Sequence, residues 1–511
     1  MSAIATSPAL VREQPAPLDQ IPSGSSDRPA PEGAARRSME IITLGWLFGS
    51  VWNTATTGSP ATVFLKELDA SPLQFGVVAA LPFIASLLSL PASLLIERTG
   101  ARKRIFLYTL YFQRLLWFPI ALAPLWLVSR YGAGAAPGAM RVFLLLMFIM
   151  HAAGAAGGPA WVSWMADVVP ERLRGKYFSR RRQWGVVSAV PAALLAGWML
   201  DRCCAACDSI TVLRWCAILF MCSAVFGLAD IHLFQYVPGV ARAPRRGFGL
   251  LRALGGPLRD RQFLWFAAFV GTLTFAVGFM QQFITLYLLD SNRAGLSSGA
   301  TQLIVLVVPM AAQFLALPVW GRAVDRMGKK PVLAIAGFGL VPVALGWCLL
   351  GPGNLWLGFV LAAAHMVLWC GVEIANFNLV LEMSGSERAR AGAGAGAGAC
   401  GGSAYVAVNS VIVNIAGCLG GLAAGVIAQE LQDWSWTPIA GAKSMSFYDV
   451  LFALSGVLRL GAVAIFLPFI HEPTARTAGE AMRFILASVR CAILNWLPRL
   501  PRRSVTNATA Q

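Results

Sequence analysis

Charged residues are scarce in this sequence. Asp, Glu, Lys and Arg make up 13% of its 511 residues, whereas a soluble protein carries roughly a quarter of such residues. Hydrophobic residues make up 57%, more than the interior of a soluble fold could bury. The shortage of charge therefore excludes an ordinary soluble domain.

Histidine is scarce as well, with four copies in separate segments, at positions 151, 232, 365 and 471. Neither a metal-ligand set nor a nucleophile constellation accompanies them, which argues against an enzyme. The glycine-rich run AGAGAGAGACGG at 391–402 lacks a preceding strand and a following Lys-Ser/Thr pair, so a hinge or a close-packed helix start is expected there, and not a phosphate loop. We predict no cofactor and no metal.

The ten cysteines lie mostly alone within apolar runs. The exception is CCAAC, in a predicted loop, which contains Cys203, Cys204 and Cys207. A disulfide, a metal site and unpaired thiols are all open alternatives for this loop.

Long apolar runs are what the sequence has in abundance. From residue 41 onward they recur at lengths of about 20 residues, enough for a helix to cross a hydrocarbon core of about 30 Å. We predict an all-α polytopic membrane protein. Its twelve spans, numbered 1 to 12, are 41–64, 73–96, 105–128, 141–168, 183–200, 211–235, 263–289, 299–320, 331–351, 355–382, 400–428 and 447–470.

The basic residues predict the orientation of these spans. With the N-terminus in the cytoplasm, 32 of the 41 Lys and Arg residues lie on the cytoplasmic side and seven on the other side. This bias predicts a multi-pass protein of the cell membrane with both termini cytoplasmic. Topology thus explains the net charge of +17, and we expect no nucleic-acid partner. Two arginines, Arg114 and Arg459, lie inside spans, where we expect structural ion pairs or snorkelling, with substrate binding by Arg114 as the alternative.

The segments outside the spans complete the predicted organisation. Residues 1–40 are rich in Pro, Ser and Ala and predict a disordered cytoplasmic tail. A basic loop, 236–262, joins an N-terminal bundle, 41–235, to a C-terminal bundle, 263–470. The remainder, 471–511, predicts a cytoplasmic tail with an interfacial amphipathic helix.

A charged phrase occurs twice, 228 residues apart. LLIERTGARKR at 94–104 follows span 2, and GRAVDRMGKKP at 321–331 follows span 8. A weaker echo, PERLRG and SERARA, follows spans 4 and 10. Two parallel six-helix repeats explain both echoes. The aligned pairs of the first phrase are Glu97 with Asp325, Arg98 with Arg326, Gly100 with Gly328, and Arg102 with Lys330.

This pattern resembles the major facilitator superfamily of secondary transporters, whose motif Gly-x3-Asp-Arg-x-Gly-x-basic-basic recurs in both halves. The copy that begins at Gly321 fits fully, whereas the first copy has Ser93 for the initial Gly and Glu97 for Asp. The resemblance implies two pseudo-symmetric six-helix bundles. It also implies that Glu97 contacts the start of span 11 and Asp325 the start of span 5 in an outward-open state. Charges that only enforce topology are the alternative.

Polar residues deep within spans are candidates for the substrate site. Glu373 lies nine residues from the cytoplasmic end of span 10, about 13 Å deep. It shares one helix face with His365, Trp369 and Asn376 and is our candidate for the group that carries a coupling proton, with a structural partner for a buried cation as the alternative. The other candidates, taken from the helices that line the cavity in the superfamily, are Asn53, His151, Trp161, Trp164, Gln281, Gln282, Gln313, Asn409 and Asn414.

The predicted function is secondary active transport of a small solute by alternating access, with protons as coupling ion, by a monomer in the lipid bilayer. Two alternatives stay open. One is a non-transporting sensor or scaffold with the same fold, and the other is a carrier that flips lipids or lysolipids.

Overall fold

The computed structural model describes residues 32–170, 173–203, 208–239, 257–390, 398–437, 443–472 and 476–496. Within these ranges, eleven helices are long and apolar enough to cross a membrane. Span 1 is outside that set and is interrupted at three residues, Thr56 to Gly58. It completes the twelve predicted spans.

Six spans are single helices over most of their length: Ala136–Val168 (span 4), Arg174–Cys203 (span 5), Ser209–Leu233 (span 6), Lys329–Gly346 (span 9), Trp356–Arg390 (span 10) and Gly398–Glu430 (span 11). The other six are interrupted. They comprise Glu32–Ala55 and Ser59–Glu67 (span 1), Pro72–Ser86 and Ser89–Thr99 (span 2), Arg102–Leu115 and Trp117–Tyr131 (span 3), Arg261–Gly278 and Gln281–Leu289 (span 7), Ser298–Gln302, Leu303–Val307 and Val308–Met327 (span 8), and Phe447–Gly461 with Ala462–Phe466 (span 12).

Prolines and π-helical turns account for several of these interruptions. Span 2 contains Pro82, five residues before its break, and proline removes a helical hydrogen bond. In span 8 the π-helical turn Leu303–Val307 directly precedes Pro309. Bends of this kind suit helices that must change shape between two states.

The remaining elements are short or peripheral. Strands β1 (Ser435–Trp436) and β2 (Met445–Ser446) form an antiparallel pair between spans 11 and 12. A final helix, Ala478–Trp496, follows span 12. The 3-10 turns are Ala133–Ala135, Phe234–Tyr236, Pro257–Arg259, Trp347–Leu349 and Leu467–Phe469.

Two helices begin well before the predicted spans. Span 1 starts at Glu32 instead of residue 41, and span 5 starts at Arg174 instead of residue 183. Both extensions are polar, so an apolar pattern could not reveal them. An ion pair between Arg36 and Glu40, at the i and i+4 positions, supports the first extension.

The two halves touch on one side of the membrane. We call the side that carries both ends of the described chain the terminal side, and the opposite side the far side. One buried apolar cluster on the far side contains residues of both halves, such as Phe64 and Phe283. On the terminal side each half has a cluster of its own, around Phe106 in the N-terminal half and Phe263 in the C-terminal half. The bundles therefore separate towards the terminal side.

Candidate functional site

A cavity of about 1280 Å³ lies between the two halves. Spans 1 and 5 form its wall in the N-terminal half, and span 8 forms most of its wall in the C-terminal half. Val367 of span 10 and Ile485 of the final helix also line it. Because Ile485 belongs to a helix that follows span 12, the cavity extends to the terminal side.

Polar groups are few on the cavity wall. Ser50 of span 1 lines the cavity and shares a hydrogen bond of 2.7 Å with Ser188 of span 5. Across the cavity, the Arg182 guanidinium of span 5 donates a hydrogen bond to the side-chain oxygen of Gln313 of span 8. This bond joins the two halves near the middle of the membrane.

The far side of the cavity is closed by hydrogen bonds around Gln302 of span 8. Its side-chain oxygen accepts from the backbone nitrogen of Ser59 at 3.0 Å and from the Ser59 hydroxyl at 2.9 Å. Its amide nitrogen donates to the carbonyls of Thr54 and Thr57. Gly58, with a φ of 70°, leaves the space that Gln302 fills. The break in span 1 is thus satisfied by a side chain of the other half.

A carboxylate adds a second closure on the far side. Asp201, at the end of span 5, accepts hydrogen bonds from the backbone nitrogens of Ser298 at 2.7 Å and Gly299 at 2.9 Å. These nitrogens begin span 8, so a negative charge of one half caps a helix N-terminus of the other. The sequence motifs predicted such a cap on the terminal side only.

Glycine packing provides the third closure. A Cβ atom placed on Gly76 of span 2 would lie 2.5 Å from the Gly425 Cα atom and 2.6 Å from the Gly421 carbonyl oxygen of span 11. The two backbones approach this closely because none of the three residues has a side chain. Spans 2 and 11 belong to different halves, so this contact exists only while the far side is closed.

The motif carboxylates have no hydrogen bond or ion pair with the described residues. Both Glu97 and Asp325 are exposed, in a state whose terminal side is open. The expected contacts belong to the outward-open state and stay a prediction. Side chains at the start of span 11 lie outside the described residues.

The other motif residues act within their own halves. Arg102 is buried and pairs with Asp167 at the end of span 4, whereas Arg98 is exposed. In the second copy, Arg326 lies 5.5 Å from the Phe484 ring centre of the final helix. The Lys330 backbone nitrogen donates to Glu472 at 2.7 Å.

The motif glycines lie at the ends of spans 2 and 8. Gly100 and Gly328 have φ values of 66° and 97°, which favour glycine. Gly321 has open space around its Cα atom.

Three of the four residues in the predicted stripe on span 10 contact one another in sequence. The rings of His365 and Trp369 stack with centres 6.1 Å apart, and the Trp369 indole donates to the Glu373 carboxylate at 3.0 Å. Glu373 is exposed.

The amide oxygens of Asn376 and Asn409 are buried without a hydrogen-bond partner in the described part of the chain. Unsatisfied buried acceptors are costly, and neither residue is among those that line the cavity.

Other predicted residues lie in different places. Asn53 and Gln313 line the cavity. Gln282 donates to Thr62 of the other half at 3.3 Å, and its neighbour Gln281 is exposed. Asn414 bonds within its own helix. Asn53 and Gln313 thus belong to the cavity, Gln282 belongs to the far-side closure, and Asn414 contacts its own helix.

The two aromatic candidates on span 4 lie in different surroundings. Trp161 packs against Phe178, with ring centres 5.9 Å apart, and lies near the Arg181 guanidinium. Trp164 was predicted to face the cavity, and this was wrong. It is 1% exposed, because its indole nitrogen reaches the Pro238 carbonyl at 3.0 Å inside the N-terminal bundle. His151 of the same span is half-buried, outside the set of residues that line the cavity.

The arginines inside the spans are both buried. Arg114 lies 3.5 Å from the Asp230 carboxylate of span 6 and 3.4 Å from the Trp52 ring centre. It therefore forms the expected structural ion pair. Arg459 is fully buried and donates to the Leu340 carbonyl at 3.3 Å, with no carboxylate partner among the described residues.

The loop cysteines Cys204 and Cys207 lie outside the described residues, as do positions 391–397 of the glycine-rich run. In the described ranges no group of three or more His, Cys, Asp or Glu residues could hold a metal ion.

Comparisons with known proteins support the fold. The sequence matches the model of the Major Facilitator Superfamily over residues 41–407. No curated protein sequence matches it. Among solved structures, the nucleoside transporter NupG aligns with a TM-score of 0.57 and 14% identity, covering 86% of this chain and 99% of that chain.

Two further solved structures show the same similarity. A D-xylose–proton symporter aligns with a TM-score of 0.60 and 15% identity, over 86% of this chain and 98% of that one. A bacterial homologue of the human lysosomal transporter Spinster, inward-facing and unoccupied, aligns with a TM-score of 0.52 and 15% identity, over 92% of this chain and 100% of that one. At these identities the likeness shows the fold alone.

Proposed function

Because the chain belongs to the major facilitator superfamily, we propose that this secondary transporter carries a small solute by alternating access and that a proton on Glu373 drives the cycle. The observation that carries the proposal is the asymmetric closure of the two halves. They share one apolar cluster on the far side and enclose a cavity that extends to the terminal side. We further propose that the terminal side is cytoplasmic, as the distribution of basic residues predicts.

The far-side contacts are of a kind that can form and break in a cycle. Hydrogen bonds to Gln302 and Asp201 and the contact of glycine backbones link elements of the two halves without covalent bonds. Each contributes a modest free energy, since an intramolecular hydrogen bond is worth about 1 kcal/mol net. Their sum can hold one state and still be overcome when a ligand binds the other state better.

Glu373 supports the coupling role through its position. Its carboxylate is exposed on span 10, outside the set of residues that line the cavity. It accepts one hydrogen bond from Trp369 and has no cation within ion-pair distance in the described part of the chain. Because Glu373 is not committed to an ion pair in this state, its carboxylate is available for the coupling role that we propose.

The function is tested by a ligand screen on the purified protein. Thermal stability in detergent is measured against sugars, nucleosides, peptides, amphiphiles and drugs, because a ligand that binds only the folded state raises the melting temperature. A ligand that raises the melting temperature and also exchanges across the membrane of proteoliposomes supports transport. A ligand that binds and never crosses favours the sensor alternative.

Replacing Glu373 with Gln is expected to abolish proton-driven accumulation of the transported ligand and to preserve its passive exchange. The amide keeps the hydrogen bond from Trp369 but cannot carry a proton. Accumulation under an imposed pH gradient and exchange without a gradient are measured in the same proteoliposomes. Glu430→Gln, which removes an exposed acid without an ion pair among the described residues at the end of span 11, is the control and keeps both activities. Unchanged accumulation by Glu373→Gln would remove this residue from the coupling mechanism.

A further inference from the structure

The walls of the cavity are mostly apolar. Trp46, Met310, Phe314, Leu315 and Trp320 are among the side chains that line it. A volume of about 1280 Å³ exceeds the usual range of about 300–1000 Å³ for small-molecule sites. The site therefore offers room and apolar contact for more than a small polar solute.

The charged groups on the wall are both positive. Arg182 and Arg322 line the cavity, and no Asp or Glu is among the described residues that do so. Neither arginine forms an ion pair with a described residue. Arg182 is held by the neutral side chain of Gln313, and Arg322 donates to the Pro318 carbonyl of its own helix at 3.0 Å. An arginine next to apolar walls is stabilised most by a bound anion, because charge-assisted hydrogen bonds are roughly twice as strong as neutral ones.

The two arginines lie at different depths. Arg322 is five residues from the terminal-side end of span 8, at Met327. Gln313, which receives Arg182, lies nine residues deeper than Arg322 on the same helix, about 13 Å at 1.5 Å per residue. An anionic group could thus pass from a cation at the rim to a second cation near the middle of the membrane.

The apolar wall continues along spans 5 and 8. These spans touch at Gly197 and Gly299 on the far side and hold the Arg182–Gln313 bond further along. Phe314 and Leu315 of span 8 line the cavity and keep much of their apolar surface exposed. An apolar chain can therefore lie against these side chains while its headgroup is at Arg182.

From these features we infer that the transported solute is an amphiphile with one anionic headgroup, a carboxylate or a phosphate, and an apolar chain. The inference rests on the proposed transport function and names its substrate class. The headgroup binds Arg182 and the chain lies on the apolar wall of spans 5 and 8. A neutral sugar or nucleoside would leave both arginines without a counter-charge, and a cationic amphiphile would be repelled.

The test is equilibrium binding to the full-length protein in phosphatidylcholine nanodiscs, with empty nanodiscs to subtract partition into lipid. The probes are radiolabelled dodecyl phosphate and dodecanoate, dodecyltrimethylammonium as the cationic analogue, and inorganic phosphate as the anion without a chain. We expect the two anionic amphiphiles to bind at least tenfold more tightly than the other two probes. Equal binding of the cationic probe overturns the inference, as does equal binding of inorganic phosphate, which would assign the site to free anions.

Variants locate the headgroup. Arg182→Gln is expected to weaken binding of dodecyl phosphate about tenfold or more, and Arg182→Lys to restore part of it. The matched control is Arg261→Gln, which removes an exposed positive charge from the terminal side at the start of span 7, outside the cavity wall. It should bind like the wild type. Wild-type affinity in Arg182→Gln, with unchanged melting temperature, overturns the assigned site.

Transport assays separate this inference from the proposed function. If the anionic amphiphiles bind through Arg182 and never cross the bilayer of proteoliposomes, the transport function fails and the ligand class stands. If a solute of another class is transported and the amphiphiles do not bind, the function stands and the inference fails.

Discussion

A protein with Leu in place of Gly76 is expected to lose the closed far side and to stop transporting. The added Cβ atom alone would lie 2.5 Å from the Gly425 Cα atom, a contact that backbone atoms cannot relieve by rotating a side chain. Overpacking typically costs about 1–3 kcal/mol, and the upper figure shifts a two-state population by roughly 100-fold. The state in which spans 2 and 11 are apart has no such clash, so the variant should populate mainly that state.

The measurement is the distance between spin labels placed at Arg141 and Asn292, which lie on the far side in different halves and are both exposed. The Gly76→Leu protein should show the longer distance as its main population, and exchange of ligand should be lost. The control is Gly158→Leu in span 4, where a Cβ atom meets nothing within 4 Å. If Gly76→Leu kept the wild-type distance distribution, the glycine contact would not be a closure.

Replacing Arg114 with Met is expected to lower the free energy of unfolding by about 3–5 kcal/mol. The substitution leaves the Asp230 carboxylate, which is 5% exposed, without its ion pair inside the membrane. The carboxylate cannot move away, because Gly45 and Gly49 of span 1 pack directly against it. An unpaired buried charge costs far more than the intact pair contributes.

Adding Asp230→Asn to Arg114→Met should recover most of the loss, because the amide fits the same space without a charge. Thermal and denaturant unfolding in detergent measure both proteins. Arg459→Met is the matched control. It removes an arginine that lacks a carboxylate partner in the described structure, so the cost should stay within about 1 kcal/mol. Equal losses for Arg114→Met and Arg459→Met would show that packing volume, and not the ion pair, sets the effect.

The sequence was sufficient to predict the fold because each span and each motif copy leaves a local signal. Apolar length marks the spans, and the repeated phrase that contains Gly100 and Gly328 marks the two halves. Within the candidate site, spacing along one helix predicted the neighbouring side chains of His365, Trp369 and Glu373, whereas their role in transport stays a prediction. Two residues taken from cavity-lining helices, Asn53 and Gln313, also line the cavity.

What could not be predicted depends on contacts between distant segments. Trp164 turns into the bundle to reach Pro238, 74 residues away. Arg182 pairs with Gln313 of the other half. In the sequence it belongs to the basic run SRRR at 179–182, which is typical of a cytoplasmic loop, whereas in the structure span 5 already begins at Arg174. The cap at the start of span 8 requires Asp201 of the other half. Local pattern contains no information on any of these three pairings.

The apolar cluster shared by the two halves on the far side implies a dependence on temperature. Separating Phe64 and its neighbours from Phe283 and its neighbours would expose apolar surface to water. Such exposure carries a large positive heat capacity change, and hydrophobic attraction weakens on cooling. Closing the terminal side buries apolar surface in turn, so the net change in buried apolar area sets how the balance between the two states depends on temperature. If opening the far side exposes more apolar surface than closing the terminal side buries, cooling favours the state with the far side open and warming favours the state with the far side closed.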